Sequence, residues 1–234
     1  MSVGILTRSQ PESEKEDWLS PSPGSDLLLS IVRMGSLQLE AQGRCEDLQD
    51  EELISSLPDQ TCKEQVLSLC RTRTAPATSL TRGWTPGCSG RDSARDIVVL
   101  QWNILSQALS TSCDNFQSPT LDSLDWESRR WKVVEEMVRQ EADIICLQEV
   151  DHYRLLERIL TSLGYRGSFV AKPDSPCLYV ANNNGPDGCA IFYRADKFHC
   201  DRVEVSFKSY NCFHVRLISP PENDKKHCLL FGES

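Results

Sequence analysis

Two stretches decide the fold: Ile97-Val98-Val99-Leu100-Gln101-Trp102-Asn103 and Ile144-Ile145-Cys146-Leu147-Gln148-Glu149. Each begins as an uninterrupted apolar run, the pattern of a strand covered on both faces, and each ends in polar groups. Between them Trp131, Val134, Met137 and Val138 recur at helical spacing, and Asp125 stands where an N-cap is wanted. After the second run, Leu155, Leu156, Ile159, Leu160 and Leu163 line one face of a helix expected over residues 152–163, with Gly164 as its stop. Gly188 to Tyr193 reads as a third strand, and Val203-Glu204-Val205-Ser206-Phe207 alternates as a half-exposed fourth. Strand, helix, strand, helix, strand is the order of an α/β layer.

Upstream of Asp96 this pattern stops. Pro21-Ser22-Pro23-Gly24 and the stretch from Thr72 to Ser93 are rich in turn formers and carry no apolar period. Residues 1–95 therefore read as a mobile, largely disordered extension and linker, and residues 96–234 as the folded part. Leu48, Leu53, Val66, Leu67 and Leu69 suggest one or two short helices inside the extension, interrupted at Pro58. With 234 residues the chain is long enough for one domain plus such an extension.

Composition excludes several function classes. No apolar run approaches the roughly 20 residues of a membrane span, so no membrane partner is expected. A net charge of −9 argues against a broad basic track for nucleic acid, while a phosphorylated ligand in one local pocket remains compatible. The 11 cysteines are irregularly spaced without a C-x-x-C pair, which fits reduced thiols in a cytoplasmic setting. A mitochondrial form is left open, although early acidic residues such as Glu12 and Glu14 do not suit a transit peptide.

Ligands of α/β sheets collect beyond the carboxyl ends of the strands. Asn103 and Glu149 occupy those positions here, which makes them candidate site residues. A single carboxylate is a normal anchor for Mg²⁺, a small hard cation that keeps most of its waters. The plainer alternative for Glu149 is a strand-end carboxylate that meets solvent or caps the next helix.

The surrounding text narrows the choice. Val99-Leu100-Gln101-Trp102-Asn103-Ile104-Leu105-Ser106-Gln107-Ala108-Leu109, Leu124-Asp125-Trp126-Glu127-Ser128-Arg129 and Ile145-Cys146-Leu147-Gln148-Glu149-Val150-Asp151-His152-Tyr153 resemble the opening of the endonuclease/exonuclease/phosphatase superfamily, in its deadenylase-like branch. Lys172-Pro173, Ser175-Pro176-Cys177-Leu178 and Asn183-Asn184-Gly185-Pro186-Asp187-Gly188-Cys189-Ala190 resemble a particular member type within that branch. The resemblance is dense from about Asp96 to Phe198.

The fold it implies is the first half of a two-sheet α/β sandwich. The activity it implies is Mg²⁺-dependent removal of the 2′-phosphate from NADP(H), with 3′-exonuclease action on poly(A) RNA as the alternative. By resemblance Glu149 is the metal-binding carboxylate, Asn103 a polar catalytic contact beside metal and phosphate, and Lys172 a basic contact to a substrate phosphate. Without the resemblance, Lys172 is an ordinary solvated loop lysine and Asp187 a turn former. Members of the superfamily complete their site with a Gly-Asp-x-Asn string and a closing Ser-Asp-His, and neither string occurs here. The chain as it stands is therefore expected to be a truncated, inactive form, with a non-catalytic binding protein as a further reading. The tail from Pro220 to Phe231 reads as a hairpin entering one more strand.

Overall fold

The computed structural model describes residues 2–6, 48–74, 97–112, 124–181, 183–206, 212–218 and 227–233. Its centre is a five-stranded mixed sheet built from β1 (Ser2–Leu6), β2 (Ile97–Asn103), β3 (Ile144–Val150), β4 (Tyr165–Ala171) and β5 (Gly188–Arg194), in the order β1-β2-β3-β5-β4. β2 and β3 are parallel, β1 is antiparallel to β2, and β5 is antiparallel to both of its neighbours. A second, three-stranded antiparallel sheet follows in the order β6 (His199–Ser206), β7 (Cys212–Ile218), β8 (His227–Glu233).

Why β3 lacks an alternating sequence is clear from its two faces. Ile145 and Leu147 point to one side, where they pack with Leu100, Ala190 and Phe192 beneath the helices. Ile144 and Cys146 point to the other, against Ile191, Tyr193, Val215 and Leu217. With side chains alternating across a strand and both faces covered, every position from Ile144 to Leu147 must be apolar. Val215 and Leu217 belong to β7, so the second sheet covers this face, in keeping with the expected first half of a two-sheet α/β sandwich.

The helical layer forms as its spacing predicts. It contains α1 (Leu48–Ser56), α2 (Lys63–Arg73), a short α3 (Gln107–Ser112), α4 (Trp126–Gln140) and α5 (Tyr153–Ser162). Asp125 caps α4 by accepting from the Ser128 amide at 3.2 Å, and Trp131, Val134, Met137 and Val138 are buried on its inner face. Leu155, Leu156, Ile159 and Leu160 of α5 are buried, while Leu163 stays half-buried. Gly164 follows at φ +88°, a backbone turn that favours glycine.

Residues 48–74, within the stretch read as an extension, fold back onto this layer. Val66 and Cys70 of α2 join the core with Trp131 and Leu160, and Arg158 of α5 donates to the Leu57 carbonyl at 2.7 Å and pairs with Asp59 at 2.9 Å. Pro21 to Gly24, residues 75–95 and the boundary at residue 95 lie outside the described residues.

Three strands escaped the sequence reading. β1 lies within the stretch read as a mobile extension. β4, Tyr165-Arg166-Gly167-Ser168-Phe169-Val170-Ala171, is a sheet edge and needs no apolar run. Its insertion before β5 turns β5 antiparallel to β3, where simple strand–helix alternation would have made it parallel. β7 was likewise unread, whereas β8 is the strand expected after the hairpin; the connection through Pro220 and Lys226 lies outside the described residues.

Candidate active site

Strand directions bring the sequence-predicted residues to one end of the main sheet. β2 and β3 run in parallel, and β4 runs the same way because each of them is antiparallel to β5 or parallel to such a strand. Asn103 ends β2, Glu149 sits one residue from the end of β3, Lys172 follows β4, and Asp187 precedes β5. The register pairs Asn103 with Gln148 and Ala171 with Gly188.

Asn103 and Glu149 touch. Nδ2 of Asn103 donates to Oε1 of Glu149 at 2.6 Å, and Oδ1 of Asn103 accepts from the Leu105 amide at 3.0 Å, which assigns the two ends of the side-chain amide. Glu149 stands at a bulge: between Leu147 and Val150 the β3 strand carries one residue more than β5 opposite. Its φ is +54°, and Leu105 in the facing turn has φ +61°. Left-handed conformations cost L-residues about 1 kcal/mol each. Two of them facing one hydrogen bond mark a site held by its surroundings.

Lys172 is half-buried and its amide donates to the Asp187 carbonyl at 2.8 Å. Its charge reaches the buried Cys189 thiol, which burial pushes up to about 11, with Asp187 raising it further and Lys172 opposing. Asp187 itself is no solvent-facing turn former. It is buried, accepts from the Ser175 hydroxyl and lies 3.5 Å from Cys177 Sγ, and Cys177 meets Ser106 at 3.3 Å. This buried polar knot ties the 172–187 loop to the turn after β2.

Other residues around the site were quoted in the sequence but given no role. Asp151 accepts from the Gln107 and Ala108 amides at 2.6 and 3.4 Å. Burial pushes its carboxyl above the ordinary 3.8, opposed by His152, the two amides and Arg129. His152 is buried, stacks on Trp126 at 4.3 Å between ring centroids, and meets Asn184 Nδ2 through Nε2 at 2.7 Å. Arg129 donates to the carbonyls of Ile104 and Leu124 at 2.7 and 2.9 Å. The signal that could have found them is an acid–histidine pair directly after a strand-end Glu, and a Trp-x-x-Arg opening a helix.

Among the described residues no group of three His, Cys, Asp or Glu side chains is gathered as a metal cage. Glu149 offers a carboxylate with one oxygen held by Asn103, a donor set that suits a cation retaining most of its water, as Mg²⁺ does. A cage-forming metal such as structural zinc does not fit it.

The profile of the Endonuclease/Exonuclease/phosphatase family matches residues 100–231, which includes every strand end just described. The chain belongs to this family. Within it, the chain is 40% identical over 199 residues to Nocturnin of Drosophila melanogaster, covering 75% of this chain and 31% of that protein. It is 50% identical over 122 residues to Nocturnin of Rattus norvegicus, covering 52% and 26%. Among solved structures it is similar to the human Nocturnin catalytic domain with bound sulfate anion, at 34% identity and a TM-score of 0.47, over 57% of this chain and 48% of that one. The chain thus spans about a quarter to a third of the length of the curated relatives it matches.

Proposed function

We propose that this end of the sheet is the metal-binding half of a Mg²⁺-dependent phosphohydrolase site, and that the substrate is NADP(H), which loses its 2′-phosphate. The observation that carries the reading is the Asn103–Glu149 hydrogen bond at the ends of two adjacent parallel strands. The identity to Nocturnin and the net charge of −9, which disfavours a long polyanion, support it.

Bound there, Mg²⁺ would supply positive charge at a phosphoryl oxygen and favour in-line attack by water. Glu149 holds the cation. Asn103 fixes the orientation of the carboxylate through its hydrogen bond and presents a neutral amide whose state does not change with pH. Lys172, a compact point charge, attracts a substrate phosphate. The Asp151–His152 pair is buried and its side chains bind the Gln107 amide and Asn184, so it serves the scaffold. Because the sequence holds neither a Gly-Asp-x-Asn nor a Ser-Asp-His string, we assign no turnover to the 234-residue chain by itself. The setting we assign is cytoplasmic, supported by the irregular spacing of the 11 cysteines without a C-x-x-C pair.

The test compares phosphate release from NADPH with shortening of poly(A). The 234-residue chain and a longer form carrying the rest of the family domain are each assayed with Mg²⁺ at low and physiological salt. We expect neither reaction from the former and mainly NADPH hydrolysis from the latter. Poly(A) shortening that depends on Glu149 and persists at physiological salt, with NADPH intact, would replace this reading with the exonuclease one.

A further inference from the structure

We infer that Arg129 is a positioning residue for the Asn103–Glu149 pair: from the first turn of α4 it clamps the turn that follows β2 and so aims the Asn103 amide at the carboxylate. The inference rests on the proposed function above, in which that pair is the metal site.

The turn needs a clamp. Leu105 is a bulky residue in the left-handed region at φ +61°, and such backbone persists where several contacts hold it. Its amide side is held three times: Leu105 N on Asn103 Oδ1 at 3.0 Å, Ile104 N on the Gln148 carbonyl at 3.1 Å, and Gln107 N on Asp151 at 2.6 Å. The carbonyl side is held by Arg129, whose Nη1 donates to the Ile104 carbonyl at 2.7 Å. Ile104 is the residue directly after Asn103, so a shift of its peptide plane is transmitted at once to the Asn103 side chain.

Arg129 is itself fixed in orientation. Its Nε donates to the Leu124 carbonyl at 2.9 Å, and its guanidinium lies 5.3 Å from the Trp126 ring centroid. Two carbonyls from separate segments, met by two nitrogens of one rigid plane, are a geometry that the single ammonium of lysine does not reproduce. Burial pushes its guanidinium below the ordinary arginine value, and the carboxylates of Asp151, Asp125 and Glu149 oppose that shift. Nη2 is buried and has no hydrogen-bond partner among the described residues, so the two carbonyl bonds are made at the cost of one unsatisfied donor.

The test is made on the 234-residue chain, labelled with ¹⁵N, by following the side-chain amide pair of Asn103, assigned through Asn103→Ser. Glu149→Ala supplies the reference for a broken Asn103–Glu149 bond. In Arg129→Met and Arg129→Lys the Asn103 pair should move toward that reference. The concentration of Mg²⁺ alone that shifts it should rise by about tenfold or more, the range seen when partners of metal ligands are removed. Val133→Ala, a cavity variant on the same helix, should lose stability while leaving the Asn103 pair and its Mg²⁺ response as in the parent.

Wild-type Asn103 signals in both Arg129 variants, or an equal displacement in Val133→Ala, would overturn the inference. If Arg129→Met does not fold, Arg129→Lys decides by the same signal. A parent chain that shows no Mg²⁺ response would remove the metal reading, and the displacement of the Asn103 pair would still decide the role of Arg129.

Discussion

Glu149 at φ +54° shows how a single residue can be placed against its own backbone preference. The bulge adds one residue to β3 and re-aims that side chain toward Asn103 instead of letting it alternate with the pleat. In a form extended by the rest of the family domain, the proposed function predicts that Glu149→Ala abolishes turnover, while Lys172→Ala mainly raises KM. In the proposed roles the first would hold the charge that acts in the transition state and the second would contribute to ground-state attraction. Steady-state kinetics separates them, and an equal loss of kcat in both would remove the assignment of Lys172. Asp151 gives a pH prediction. Its folded carboxyl titrates above the ordinary 3.8, so the folded state holds the proton more tightly than the unfolded one. The associated stability is full below 3.8 and is lost as pH rises through the raised value. Denaturant unfolding of the parent relative to Asp151→Asn should therefore favour the parent most at low pH and progressively less on the way up; a difference that does not change with pH would contradict it.

At the scale of elements, the β4–β5 hairpin carries Lys172 to the site, and its close approach depends on glycine. A Cβ at Gly188 would lie 2.2 Å from the Val170 carbonyl oxygen and 2.8 Å from the Phe169 ring. Gly188→Ala should thus cost about 1–3 kcal/mol, the usual range for overpacking. It should also disturb the Lys172 amide bond to Asp187 one residue away. Urea unfolding measures the first effect and loss of amide-exchange protection at Lys172 the second. An alanine variant with unchanged stability would mean that β4 does not pair in this register. The hairpin was hard to read because Tyr165 to Ala171 has neither alternation nor a continuous apolar run. An edge strand takes its stability from its partner, here β5, buried from Gly188 to Tyr193, more than from its own composition.

Over the whole molecule, the helices α1 and α2 bring residues from far upstream onto the outer face of α4 and α5. Burial pushes the Cys70 thiol up to about 12, while Cys62, eight residues earlier, is exposed. Alkylation of the native chain followed by peptide mass analysis should label Cys62 promptly and Cys70 only on unfolding, since the thiolate is the reacting form. Equal labelling of both would show that α2 is not docked. Removing residues 1–74 should uncover the core around Trp131 and Val134, lower the thermal midpoint and increase binding of an apolar dye.

The chain alone determined the α/β layer, because runs such as 97–100 and 144–147 and the spacing of Trp131, Val134, Met137 and Val138 are local patterns with one strong reading each. It also determined Asn103 and Glu149 as candidates, since a strand that turns polar at its carboxyl end says so in sequence. The tertiary structure decided what joins distant segments. The sheet order brings Lys172 to the same end of the sheet as Glu149, with β5 between their strands, Asp187 is buried with Ser175 and Cys177, and Arg129 reaches Ile104 across 25 residues of chain. Such contacts depend on strand direction and register, and a one-residue bulge at Glu149 is enough to change which groups meet.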